Sequence, residues 1–149
     1  MGIPVGQEYT LPDIGLGKIA SYQRYQADSA AVIEKIKFGQ AVEVSEDEAK
    51  PLSNGDFYGV AIAKNYVPEY DAEKIGEYNV NEAVPVMRQG TIVVICDEDV
   101  KSGEKAVANT ATGNFLPSTT ALTTKTDVIG TFKSTAQKDG LVKLEINMP

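Results

Sequence analysis

Residues 83–96 read Ala83-Val84-Pro85-Val86-Met87-Arg88-Gln89-Gly90-Thr91-Ile92-Val93-Val94-Ile95-Cys96. β-Branched residues dominate, and no 3.6-residue apolar period runs through them. The stretch reads as two strands, Ala83–Arg88 and Thr91–Cys96, flanking Gln89-Gly90. In the second strand Ile92, Val94 and Cys96 share one face, while Val93 and Ile95 share the other. Cys96 is then a small apolar core residue. A catalytic thiolate wants a basic neighbour, and here Asp97, Glu98 and Asp99 follow.

Strand signals extend outward in both directions from this pair. Upstream, Val42 and Val44 alternate with polar residues. The run Asp56–Ala63 follows Asn54-Gly55, a tight-turn dipeptide. Downstream, Lys105–Ala108 follows Ser102-Gly103, and Phe115–Leu122 follows Gly113-Asn114. Val128–Ser134 and Leu141–Ile146 flank Lys138-Asp139-Gly140. About seven to nine short strands with close turns predict an all-β fold, a small antiparallel barrel or sandwich. A weak echo recurs as Phe38-Gly39, Tyr58-Gly59 and Ile129-Gly130, each a bulky residue, a Gly and then a strand. Gly in a strand marks a bulge or a close backbone approach, so these read as barrel corners. Nine threonines fall between Thr110 and Thr135, a composition that reads as a solvated sheet face.

One stretch reads as helix. In Asp28–Lys37 a cap is available at Asp28 or Ser29, and Val32, Ile33 and Ile36 fall on one helical face. Before it, residues 1–27 form a separate segment rich in Gly and Pro yet carrying Ile3, Val5, Tyr9, Leu11 and Ile14. Gly and Pro at that density break regular elements. A disordered tail is normally poor in large apolar residues. The expected organisation is an extended N-terminal arm, 1–27, and a β-domain, 28–149, opening with the short helix. The arm lies either on another molecule or on its own domain.

Composition narrows the function. The chain has 149 residues, one domain's worth, with 42% hydrophobic residues to form a core. Lys+Arg is 14 and Asp+Glu 21, a net charge of −7. That balance disfavours nucleic acid and anionic membrane as partners. There is no His, which excludes Ser-His-Asp triads, Cys-His dyads and imidazole metal ligands. A single Cys excludes an intrachain disulfide and a Cys-cluster metal site. The opening MGIPVGQEYT lacks the basic start and apolar core of a secretory signal, so a soluble intracellular product is expected.

The motifs that match known chemistry do so incompletely. Gly15-Leu16-Gly17-Lys18-Ile19-Ala20 fits G-x-G-x-x-A but follows Leu11-Pro12-Asp13, a poor central strand, and no βαβ pattern continues it. Asp97-Glu98-Asp99 lacks the Gly and Glu spacing of a calcium loop and reads as a charged loop after a buried strand. Neither catalytic nor metal-binding residues are expected, and no cofactor.

The order of motifs from residue 36 onward resembles the cement or head-decoration proteins of tailed bacteriophages. The likeness is carried by Phe38-Gly39-Gln40-Ala41-Val42, Tyr58-Gly59-Val60-Ala61-Ile62, Val84-Pro85-Val86 to Gly90-Thr91-Ile92, Val100-Lys101-Ser102-Gly103-Glu104-Lys105-Ala106-Val107 and Ile129-Gly130-Thr131-Phe132. The resemblance implies a non-enzymatic virion protein. It would bind the major capsid protein on the outside of the head, as a dimer or trimer, and hold the expanded shell closed after synthesis in the host cytoplasm. Ile3, Pro4, Val5, Tyr9, Leu11, Pro12 and Ile14 of the arm are the expected partner-binding residues. Two alternatives belong to other classes. One is a small enzyme or carrier using Asp97, Asp99 or Glu104, or a modified Lys101 or Lys105. The other is a glycan-binding adhesin or fibre module built on the Thr-rich stretch.

Overall fold

A computed structural model describes residues 7–8, 16–53, 56–63, 66–67 and 77–148. Its strands are β1 (Gln7–Glu8), β2 (Ile19–Val32), β3 (Ile36–Lys37), β4 (Ala41–Ser45), β5 (Glu48–Pro51), β6 (Gly59–Ala61) and β7 (Tyr66–Val67). They continue as β8 (Glu77–Tyr78), β9 (Ala83–Ile95), β10 (Lys105–Ala108), β11 (Phe115–Pro117), β12 (Gly130–Phe132) and β13 (Leu141–Asn147). The all-β class holds, and the described residues contain no helix.

Nine of these strands form one sheet that closes on itself twice. The pairings β9–β2, β2–β5, β5–β4, β4–β6 and β6–β9 make a ring of five staves. All are antiparallel except β2–β5, where Ala31 and Val32 run parallel to Glu48 and Ala49. On its other edge β9 pairs with β13, followed by β12, β10 and β11. A parallel bridge from Phe115 to Cys96, just past the end of β9, brings β11 back to the start. The molecule is therefore two small barrels that share the stave β9. Closure removes free sheet edges, the usual route to unwanted strand pairing.

Each barrel has its own core. The first contains Val32, Ile36, Phe38, Val42, Ala49, Ala61, Tyr78, Val84 and Val86. The second contains Ile92, Val94, Cys96, Ala106, Phe115, Phe132, Val142, Leu144 and Ile146, joined by Ala41, Phe57, Val60 and Met87. Consecutive residues thus enter different cores: Ala41 and Val42 on β4, Val60 and Ala61 on β6, Val86 and Met87 on β9. These strands wall one core from the other. Burial on both faces explains why the sequence shows unbroken apolar runs there instead of alternation. Phe57 and Phe115 meet edge to face across the second core, with centroids 6.3 Å apart.

Three expectations are corrected. Gln89-Gly90 is not a turn between two strands but lies inside the single thirteen-residue β9. Met87 and Ile92 both face the second core although they have opposite parity, so the alternation slips by one residue between them. Gly90, at φ 136°, lies within this slip, and a Cβ there would stand 2.8 Å from Tyr25 Cβ. The helix over Asp28–Lys37 is also absent, because residues 28–32 complete β2 and Ile36–Lys37 are β3. Ala30 and Val32 are buried while Ala31 and Ile33 are exposed, which is the two-residue period of a strand. Val32, Ile33 and Ile36 fit a helical face as well, but a helix of two to three turns is marginal alone. Antiparallel pairing with β9 over Ala27–Ala31 supplies the backbone partners instead. Residues 19–27, placed by sequence in the arm, are likewise part of β2.

Candidate functional site

The seven arm residues singled out by sequence, Ile3, Pro4, Val5, Tyr9, Leu11, Pro12 and Ile14, lie outside the described residues. Within that segment Gln7–Glu8 pair antiparallel with Tyr66–Val67, as a ribbon separate from the large sheet. The base of the arm is tightly held. Gly17 N donates to Val93 O at 2.8 Å, Ala63 N donates to Gly17 O at 2.7 Å, and Val93 N donates to Lys18 O at 2.9 Å. Gly17 has φ 77°, and a Cβ on it would lie 2.8 Å from Gly39 N and from Phe38 Cβ. Only Gly fits there. A strand follows Gly17 where a dinucleotide fingerprint requires a helix, so this Gly-rich stretch lacks that motif's geometry and anchors the chain instead.

The acidic triplet after β9 is a clasp, and each of its carboxylates holds a different loop. Asp97 Oδ2 accepts from Asn109 Nδ2 at 3.0 Å and from Thr112 Oγ1 at 2.5 Å, and Asp97 Oδ1 accepts from Asn114 Nδ2 at 3.0 Å. Glu98 accepts from Thr120 Oγ1. Asp99 Oδ1 accepts from Lys138 N at 2.8 Å. Bonds to an ionised acceptor are the stronger class, and five of them converge on three consecutive residues. Asp97 and Asp99 are therefore structural acceptors, not an acid–base pair. Among the described residues no group of three Asp, Glu, Cys or His is placed to hold a metal.

The Thr-rich stretch is part of the same lattice. The expected solvated sheet face is not found: of the nine threonines only Thr131 lies in a strand. Thr124 Oγ1 donates to Asn109 Oδ1 at 3.0 Å, and Thr126 Oγ1 accepts from Ala108 N at 3.0 Å. The hydroxyls tie a long loop down where ladder hydrogen bonds are lacking. Sequence reasoning missed this role, although Asp97 followed by Asn109, Thr112 and Asn114 was its visible trace.

Cys96 is fully buried in the second core, as its position on the Ile92–Val94 face predicted. Burial pushes its thiol pKa up, and the acidic neighbours Asp97 and Asp139 add to the rise. Lys101 and Glu104 close a tight turn, with Lys101 N donating to Glu104 Oε1 at 2.6 Å and Glu104 N to Lys101 O at 3.1 Å. At the mouth of the first barrel Tyr58 Oη donates to Asp28 Oδ2 at 2.5 Å, and the Arg88 guanidinium stacks 4.0 Å over the Tyr58 ring. Among the described residues, the exposed large apolar side chains are Tyr25, Ile33, Val80, Leu122, Val128 and Leu141.

The family model for phage structural cement proteins (E217 gp24/Pam3 gp6) matches residues 5–147. A chain from the capsid of Myoviridae phage XM1 has the same fold, with TM-score 0.69 and 13% identity over 90% of each chain. The N base of head fibre gp8.5 in bacteriophage phi29 aligns at TM-score 0.48 and 18% identity, over 83% of this chain and 95% of that one. No curated protein matches the chain. The matched family is structural and not an enzyme family, in keeping with carboxylates that hold loops. The chain, matched along nearly its whole length, belongs to the phage structural cement proteins and is a virion structural protein.

Proposed function

We propose that the protein is a homo-oligomeric clamp of two or three copies, bound to the major capsid protein on the outside of the head, where it holds the expanded shell closed. The observation that carries this reading is the cement-family match over residues 5–147. The fold supports it physically. Two closed barrels with a common stave resist bending, and the polar side chains around them hold loops in place. A net charge of −7 suits a surface facing solvent and not packaged DNA. The protein is made in the host cytoplasm and joins the head there.

The stretch before Leu16 is the second point of attachment, because Gly17 and Lys18 are hydrogen-bonded to β9. Ile3, Pro4, Val5, Tyr9, Leu11, Pro12 and Ile14 supply its apolar contacts. A tethered second contact raises avidity about 10²–10⁴-fold over either contact alone.

Co-sedimentation tests the reading. The purified protein is mixed with expanded heads that lack it, and the pellet is imaged by cryo-microscopy. Density outside the capsid protein lattice, with heads that resist heat better than bare ones, is the expected result. Protein that stays in the supernatant, or density on the inner face, would overturn it.

A further inference from the structure

An open cleft of about 460 Å³ lies on the second barrel, where the chain ahead of β6, the loop ahead of β12 and the residue after β13 come together. Phe57, Ile129 and Met148 line it with apolar surface that continues into the second core. Val128, beside them, is 56% exposed, more than any other large apolar side chain among the described residues. Asp56 and Asp127 also line the cleft, and both are exposed. They differ from the acids of the clasp, which hold loops in place. Among the described residues the carboxylates of Asp56 and Asp127 accept no hydrogen bond and form no ion pair.

The wall that carries Asp127 and Val128 is already fixed. Lys125 bridges antiparallel to Asn109, Thr126 N donates to Ala108 O at 3.0 Å, and Ile129 N donates to Ala106 O at 2.9 Å. Lys125 Nζ turns back on its own loop, 3.4 Å from the carbonyl oxygens of Ser118 and Thr120. A ligand therefore meets an apolar surface flanked by two unpaired acids, and little has to be ordered when it binds.

We propose that this cleft is the barrel's own contact with the capsid protein, and that it takes an extended segment carrying a Lys or Arg beside apolar side chains. Charge complementarity selects that occupant. The cationic head meets Asp56 or Asp127, while its aliphatic stem and its apolar neighbours cover Val128 and the floor of the cleft. A purely apolar segment would strip water from the two acids and offer them no partner. A second copy of this chain, seated through the same cleft, would bring four such carboxylates together. The proposal rests on the clamp reading above and adds to it the first point of attachment, the arm being the second.

Full-length variants and bare expanded heads test it by co-sedimentation. D56K, D127K and V128E are each expected to weaken attachment about fivefold or more, and D127N, which keeps the shape, to weaken it in the same direction. E34K makes the same charge change at an exposed bend outside the cleft and is expected to bind as the unmodified protein does. V128C labelled with a benzophenone maleimide is expected, on irradiation of the bound state, to cross-link to a capsid-protein peptide that contains Lys or Arg. Cys96 is buried and takes up no label. Attachment unchanged in all the cleft variants, with truncation of residues 1–15 still weakening it, would overturn the cleft and leave the clamp. Cross-links confined to a second copy of the chain would also overturn it. Failure of the unmodified protein to bind heads would overturn the clamp and the cleft with it. Far-ultraviolet dichroism of each variant separates loss of attachment from loss of fold.

Discussion

The carbonyl oxygen of Met87 occupies the space that a side chain on Gly59 would need. Gly59 has no left-handed backbone, so its requirement is one of clearance between β6 and β9 at the wall between the two cores. Gly130 stands in the same relation to the carbonyl oxygen of Glu145. Gly59→Ala and Gly130→Ala should each cost about 1–3 kcal/mol through overpacking. Gly103, at φ 96° with no atom within 4 Å of its Cβ position, should lose only about 1 kcal/mol from backbone strain. Urea unfolding of the three variants checks the ranking; equal losses would remove the clearance argument.

Asp97→Ala should destabilise the protein by about 2–3 kcal/mol, since it leaves the amides of Asn109 and Asn114 and the hydroxyl of Thr112 without their common acceptor. Limited proteolysis should then cut between residues 109 and 126, where the unmodified chain resists. Glu34→Ala, at an exposed bend, is the control and should change stability by less than about 0.5 kcal/mol.

Alkaline stability should fall in a defined order. The pKa values of Cys96, Tyr58 and Tyr78 are all raised: burial acts on Cys96 and Tyr78, and the hydrogen bond to Asp28 acts first on Tyr58. A raised value means that the folded state holds its proton longer than the unfolded state. The associated stability is complete below the unfolded pKa, about 8.5 for Cys and about 10 for Tyr, and is lost as pH rises above those values. Cys96→Ala should flatten the first part of the decline. In the folded protein a thiol reagent at pH 8 should leave Cys96 unmodified and should react on addition of denaturant.

Truncation should begin at residue 16 and not later. Removing residues 1–15 should leave a folded protein with a melting temperature within a few degrees of the parent, while attachment to heads falls about tenfold or more. Removing Leu16 and Gly17 as well breaks the bonds to Val93 and Ala63 and should lower the melting temperature sharply. Attachment unchanged by the first truncation would assign the arm to its own domain.

The all-β class was legible because tight-turn signals such as Gly113-Asn114 and Asp139-Gly140 punctuate runs of strand formers. The family was legible from the order of motifs and not from any single one. Closure was not. It depends on β2 meeting β5 and β6 meeting β9, pairings between distant segments that local patterns do not encode. Val32, Ile33 and Ile36 misled because three apolar positions satisfy both periods, and the deciding contrast, buried Ala30 against exposed Ala31, involves two identical residues. Asp97 read as a loop charge because its partners lie 12 to 17 residues further along the chain.

The common stave has a consequence for how the molecule fails. Neither barrel can open without stripping one flank of β9, so force applied to one should be felt by both until the whole molecule gives way at once. A rivet with a single shank behaves in this way: it has no intermediate length, and it either holds or shears.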